Sequence, residues 1–191
     1  MSDNDIKIYG GDSDINRICA NMASAYEAIN FHRSNGNLQK ARDLGERLAT
    51  LSPSDDTDGI HIDLSDDLPA KFRSQDIMYQ IKVLLVFAAE TLLQTEIETE
   101  MLATTAINAM HDKIRRDTPV FFRNISDGAA FTFYYLAIKK GGDITENIGE
   151  AFAMLCNVQK NKEGFINAGK TVWKIAAQEI TKEITAVNFE K

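Results

Sequence analysis

Glu90 and His111 are the two residues whose types and setting could support proton transfer. Glu90 interrupts the most apolar stretch of the chain, and His111 flanks the stripe Ile107 to Ile114 in the next one. If those stretches are antiparallel neighbouring helices, a carboxylate and an imidazole meet in apolar surroundings. That is the setting of a general acid–base pair and equally of a structural ion pair. Other catalytic patterns do not occur: there is no Gly-x-x-x-x-Gly-Lys-Ser/Thr phosphate loop and no Gly-x-Ser-x-Gly elbow. No residue is therefore assigned a catalytic role.

Metal chemistry fares no better. The segment 53–67 carries Asp55, Asp56, Asp58, Asp63, Asp66 and Asp67, and alternating carboxylates can hold calcium. With Gly59 at the turn of a calcium loop, Asp56 and Asp58 fall on ligand positions, but Ser54 and Ser65 stand where the first acid and the bidentate glutamate belong. A solvated acidic linker is the expectation. The residues three before His32, His61 and His111 are Ile29, Asp58 and Asn108, so the Glu-x-x-His spacing of a di-iron bundle is missing. Cys19 and Cys156 have no second ligand at zinc spacing. No metal and no cofactor is predicted.

The most unusual local feature is aromatic: Phe121, Phe122, Phe131, Phe133, Tyr134 and Tyr135. Consecutive helical positions point about 100° apart, so Phe133, Tyr134 and Tyr135 cannot all face one core. Either this helix is central or part of it faces a groove, and Arg123 lies close in sequence. The candidate binding residues are accordingly Glu90, His111, Arg123, Phe131, Tyr134 and Tyr135.

The elements that must position these residues read as about seven antiparallel helices, an all-α chain arranged as a hairpin array or an irregular bundle. A first helix from Asp12 or Ser13 to about Ser34 places Ile15, Ile18, Cys19, Met22, Tyr26 and Ile29 on one face. After the turn Ser34-Asn35-Gly36, a second buries Leu38, Ala41, Leu44, Leu48 and Leu51 and stops at Ser52-Pro53. The third, about Gln75 to Glu96, is apolar nearly all round and should be central. The fourth covers about Glu98 to Arg116. The fifth begins at Thr118-Pro119, with a plausible break at Ser126-Asp127-Gly128. Asp143 and Glu146 have the spacing of a capping box for a sixth helix that buries Ile144, Ile148, Ala151, Phe152 and Leu155. The last spans about Lys162 to Val187, with Trp173 as a core anchor. IKIY (residues 6–9) could add a short extended piece. One domain, 1–191, is expected, divisible into a hairpin (12–52), an acidic linker (53–67) and a helical body (68–191).

Composition narrows the function classes. The net charge is −7, and the excess of acid lies in the first hundred residues, with no clustered cationic face. Nucleic-acid binding needs such a face, so it is not expected. No stretch is long and apolar enough for a membrane span, and the first residues lack the basic and apolar parts of a signal peptide. Both cysteines fall on predicted apolar stripes, where free thiols suit a reducing compartment. The expected location is cytoplasmic.

The hairpin from Ala25 to Pro53 resembles a tetratricopeptide repeat: Gly36 fits the turn, Ala41 the small residue at the helix crossing, and Pro53 the end of the second helix. The first helix departs from the pattern at Ala25, Ile29 and His32, and residues 56–89 do not repeat it. This resemblance implies a scaffold presenting a groove to a peptide or protein partner. ISDGAAFTFYYLAIKKGGD (125–143) resembles part of an uncharacterised family of small bacterial helical proteins, which implies a bacterial source and no activity. The leading expectation is a non-enzymatic scaffold for a peptide or protein. The alternatives are a small-molecule-binding protein or enzyme with a pocket beside the aromatic fifth helix, and a homodimeric structural protein.

Overall fold

The computed structural model describes residues 12–53, 59–64, 74–157 and 162–190. Among them are eight α-helices: α1 (Asp12–Ser34), α2 (Asn37–Leu48), α3 (Gln75–Glu96), α4 (Glu100–Asp117), α5 (Pro119–Asp127), α6 (Ala130–Lys139), α7 (Ile144–Leu155) and α8 (Lys162–Ala186). The described residues form no strand beyond one isolated parallel bridge between Ser52 and His61. The chain is all-α. Eight helices stand where about seven are expected because the aromatic segment breaks at Gly128, whose extended backbone separates α5 from α6.

The core is built around α3. Ile81 and the unbroken run Val83 to Ala89 are buried, which explains why this helix is apolar on every side. It packs against α8 and α4; α2 lies along α4, and α7 along α8. Two of these crossings depend on glycine. A Cβ on Gly45 of α2 would fall on the Ala106 carbonyl of α4, and one on Gly149 of α7 would sit 2.6 Å from the Ile166 carbonyl oxygen of α8. Backbones approach this closely only where no side chain intervenes.

Several expectations need correction. Met22 and Tyr26 are 67% and 66% exposed and Cys19 is exposed, so the apolar face expected on α1 is not packed against α2. The last turns of α1, with Ile29 and His32 half-buried, reach the rest of the fold. The side chains of Ile15 and Ile18 lie outside the described residues, as does IKIY. Ile144 is exposed rather than buried, because it starts α7 outside the α7–α8 seam. Within the acidic segment, residues 59–64 are not a solvated connection. Ser52 N–H donates to the Ile60 carbonyl at 3.0 Å and Ile62 N–H to the Ser52 carbonyl at 2.9 Å, and Ile62 and Leu64 join the core with Leu51. The period-free pattern concealed those two apolar side chains among aspartates. Ser54, Asp56, Asp58 and Ser65 of the candidate calcium loop lie outside the described residues.

Candidate functional site

The six candidate residues do not converge. Glu90 of α3 and His111 of α4 do meet, with Oε2 and Nε2 3.0 Å apart and each side chain about a third exposed. His111 Nε2 nevertheless lacks the alignment of a hydrogen bond, so the contact is an ion-pair approach without a directed proton path. The imidazole meets the Phe122 ring edge-on at 6.1 Å, and the Arg115 guanidinium covers that ring at 4.8 Å. Such an arrangement joins α3, α4 and α5.

The aromatic cluster divides by burial. Tyr134 is fully buried, its ring 5.1 Å from Phe87, and half-buried Phe131 meets Phe87 edge-on at 5.5 Å. The Tyr134 hydroxyl has no hydrogen-bond partner among the described residues. Burial raises its pKa well above the usual phenol value, with a smaller contribution from Cys156, so it stays neutral. Tyr135 points outward, 53% exposed, beneath the Lys139 ammonium at 4.8 Å, and Arg123 is exposed on α5. Phe131 and Tyr134 are core, Tyr135 and Arg123 are surface, and Glu90 with His111 forms a separate pair.

A cleft of about 650 Å³ opens elsewhere, within the range of ligand-binding pockets. One wall is the end of α1 (Phe31, His32), another the α3–α4 connection (Glu96 to Thr99). Leu102 and Ile184 line it from α4 and α8, and the segment Val187 to Glu190 that follows α8 closes the remaining side. A shallower groove of about 740 Å³ runs on along α3 and α8, sharing Glu96 and Thr185 with the cleft. None of the six candidates lines either one.

The segment 187–190 is held in place by α2. Asn37, 0% exposed, donates from Nδ2 to the Glu190 carbonyl at 2.7 Å and accepts at Oδ1 from the Glu190 N–H at 2.9 Å. Its amide also lies 3.0 Å from His32 Nδ1, which joins this contact to the α1 wall. Lys40 Nζ, one turn on, donates to the Asn188 carbonyl at 2.6 Å and faces the Glu190 carboxylate at 3.6 Å. The N–H and C=O of one residue point the same way in extended backbone, and Asn37 engages both groups of Glu190 as a neighbouring strand would. This contact reads peptide backbone rather than side chain.

Asn37 was legible in principle. It continues the stripe Ala41, Leu44 and Leu48 at helical spacing, which makes it a polar residue on a buried face, and such a group needs a partner. Its partner, 153 positions away, gave no local signal. No group of His, Cys, Asp or Glu that could hold a metal occurs among the described residues, and no helix among them is long and apolar enough to cross a membrane. No protein-family model matches the chain, and neither a curated protein nor a solved structure matches it.

Proposed function

We propose that the chain is a non-enzymatic helical scaffold that binds a segment of another protein in the cleft between α1, the α3–α4 connection and the end of α8. The observation that carries this reading is the Asn37–Glu190 contact: one border of the cleft already holds a peptide segment through its backbone. Main-chain pairing supplies affinity for extended peptides, and the neighbouring apolar positions supply selectivity. Phe31, Ile97 and Leu102 provide those positions. The repeat-like hairpin supports the same reading, since its turn presents Asn37 and its first helix supplies Phe31 and His32. Free Cys19 and Cys156 fit a cytosolic setting.

Panning a random peptide library against the full chain and against Thr99→Trp tests the proposal. Thr99 lines the cleft and makes no side-chain cap for α4, so the substitution fills space without removing a cap. Selected peptides should lose at least about tenfold in affinity on Thr99→Trp, or ~1.4 kcal/mol. Peptides that bind both proteins equally would place recognition elsewhere and remove the basis for the reading.

A further inference from the structure

We infer that Asn37 and Lys40 form a receptor site for extended peptide backbone followed by an acidic side chain, and that residues 187–190 are its displaceable occupant in cis. The inference rests on the scaffold reading and adds the chemistry of the partner: an extended segment of pattern aliphatic-x-aromatic-acidic, which takes the place of Val187-Asn188-Phe189-Glu190.

The site is built rather than incidental. Asn37 is fully buried, and both ends of its amide bond one distant residue, the N–H and the C=O of Glu190, while the same Nδ2 also lies 3.0 Å from His32 Nδ1. A core asparagine that merely needed satisfaction could close its own turn, as Asn147 does by donating to the Gly141 carbonyl at 2.8 Å. Glu190 is exposed, so its backbone groups would be hydrated if released; the buried partner is the receptor and the exposed one the ligand. Lys40 adds charge selectivity, because its ammonium lies against both the Asn188 carbonyl and the Glu190 carboxylate.

The occupant is retained by a few polar bonds and by the packing of Val187 and Phe189 against the core. The described bonds that hold residues 188–190 are those to Asn37 and Lys40, and Val187 keeps one helical-type bond to the Ile184 carbonyl at 3.1 Å. Phe189 is half-buried and Asn188 exposed. For the site to act as a receptor, this segment must exchange between docked and released forms, so that a ligand competing for the site binds with an affinity reduced by the fraction released. Its release would also remove one wall of the cleft, so partner binding and cleft opening are one event.

The test titrates the full chain with the capped peptide acetyl-Val-Asn-Phe-Glu-amide and follows binding by NMR, through the Lys40 backbone amide in every variant and through the Asn37 side-chain amide where Asn37 is kept. Phe189→Ala, which weakens the cis occupant, should raise affinity by about tenfold or more. Asn37→Ala added to that background should abolish binding, and a peptide with Lys in place of Glu should bind more weakly by about tenfold. Unchanged affinity in Phe189→Ala, or equal binding after Asn37→Ala, overturns the inference. So does concentration-dependent dimerisation of the wild-type chain that Asn37→Ala removes, since the occupant would then be a second copy. A folded Asn37→Ala chain, judged by circular dichroism, keeps the comparison valid. Library peptides that are lost on Thr99→Trp yet leave the Asn37 amide unmoved would sink this inference alone; if no peptide is lost on Thr99→Trp, the scaffold reading fails first.

Discussion

The two glycine turns of this fold start from similar sequence and end in different uses. Ser34-Asn35-Gly36 and Gly141-Gly142-Asp143 both reverse the chain through left-handed glycines, with φ near +80° at Gly36, Gly141 and Gly142. Each is followed by a helix with a buried asparagine, Asn37 in α2 and Asn147 in α7, the two buried polar residues among those described. At the second turn the polar bonds are local: Asp143 accepts from the Thr145 and Glu146 amides at 2.8 and 3.3 Å, and Asn147 secures the Gly141 carbonyl. At the first, Gly36 has no side chain to cap α2, Asn35 Oδ1 takes the Asn37 N–H at 3.1 Å, and the Asn37 amide reaches beyond its local contact with His32 to a distant segment. A buried amide that closes its own turn stabilises a hairpin. One directed at remote backbone can also recognise a ligand.

The largest expected effect separates the two hairpins at their helix crossings. Gly45→Ala places a methyl group on the Ala106 carbonyl, and neither backbone can yield without separating α2 from α4. A loss of about 3 kcal/mol in denaturant unfolding is expected. Gly149→Ala meets the Ile166 carbonyl oxygen at 2.6 Å but also the flexible Lys170 Cγ at 2.8 Å, and should cost less, about 2 kcal/mol. Equal costs would mean that α2 adjusts against α4 as readily as α7 against α8.

Next in size are the asparagines themselves. Asn37→Ala removes both bonds to Glu190 and should cost ~1–2 kcal/mol, with amide exchange rising at Glu190 rather than throughout α2. Asn147→Ala leaves the exposed Gly141 carbonyl to water and should cost ~1 kcal/mol, with faster exchange confined to the turn and the start of α7. If Asn37→Ala instead accelerates exchange along all of α1 and α2, Asn37 holds the hairpin together and its separate role as a receptor is lost.

This contrast also explains how much the sequence disclosed. The bounds of α3, the Pro119 start of α5 and the Asp143 cap were readable, because each is encoded by residues within one or two turns of where it acts. The approach of Glu90 to His111 was readable once α3 and α4 were taken as neighbours. What stayed hidden was non-local. Nothing near Asn37 names Glu190, and nothing in Met22 or Tyr26 shows that the periodic face of α1 is left exposed. The aromatic run signalled an unusual helix, but only packing against Phe87 decides that Tyr134 turns inward and Tyr135 outward.

The smallest expected effect concerns the two thiols and leaves stability untouched at neutral pH. Cys19 is exposed on α1 of the first hairpin, whereas Cys156 ends α7 of the second, half-buried beside Tyr134. Desolvation pushes the Cys156 thiol up to about 12, since burial penalises the thiolate. At pH 8 its thiolate fraction is then about one part in ten thousand, and the thiolate is the reactive form. A maleimide should modify Cys19 readily in the native chain, while Cys19→Ser leaves a protein that reacts only after denaturant is added. The sign of the linkage follows. A folded pKa above the unfolded value of about 8.5 means that the folded state retains its proton more tightly, so this contribution to stability is intact below pH 8.5 and declines as pH rises toward 12. If Cys156 reacts at the rate of Cys19 without denaturant, the end of α7 opens as freely as α1, and the claim that the second hairpin is the closed, self-satisfied one would have to be withdrawn.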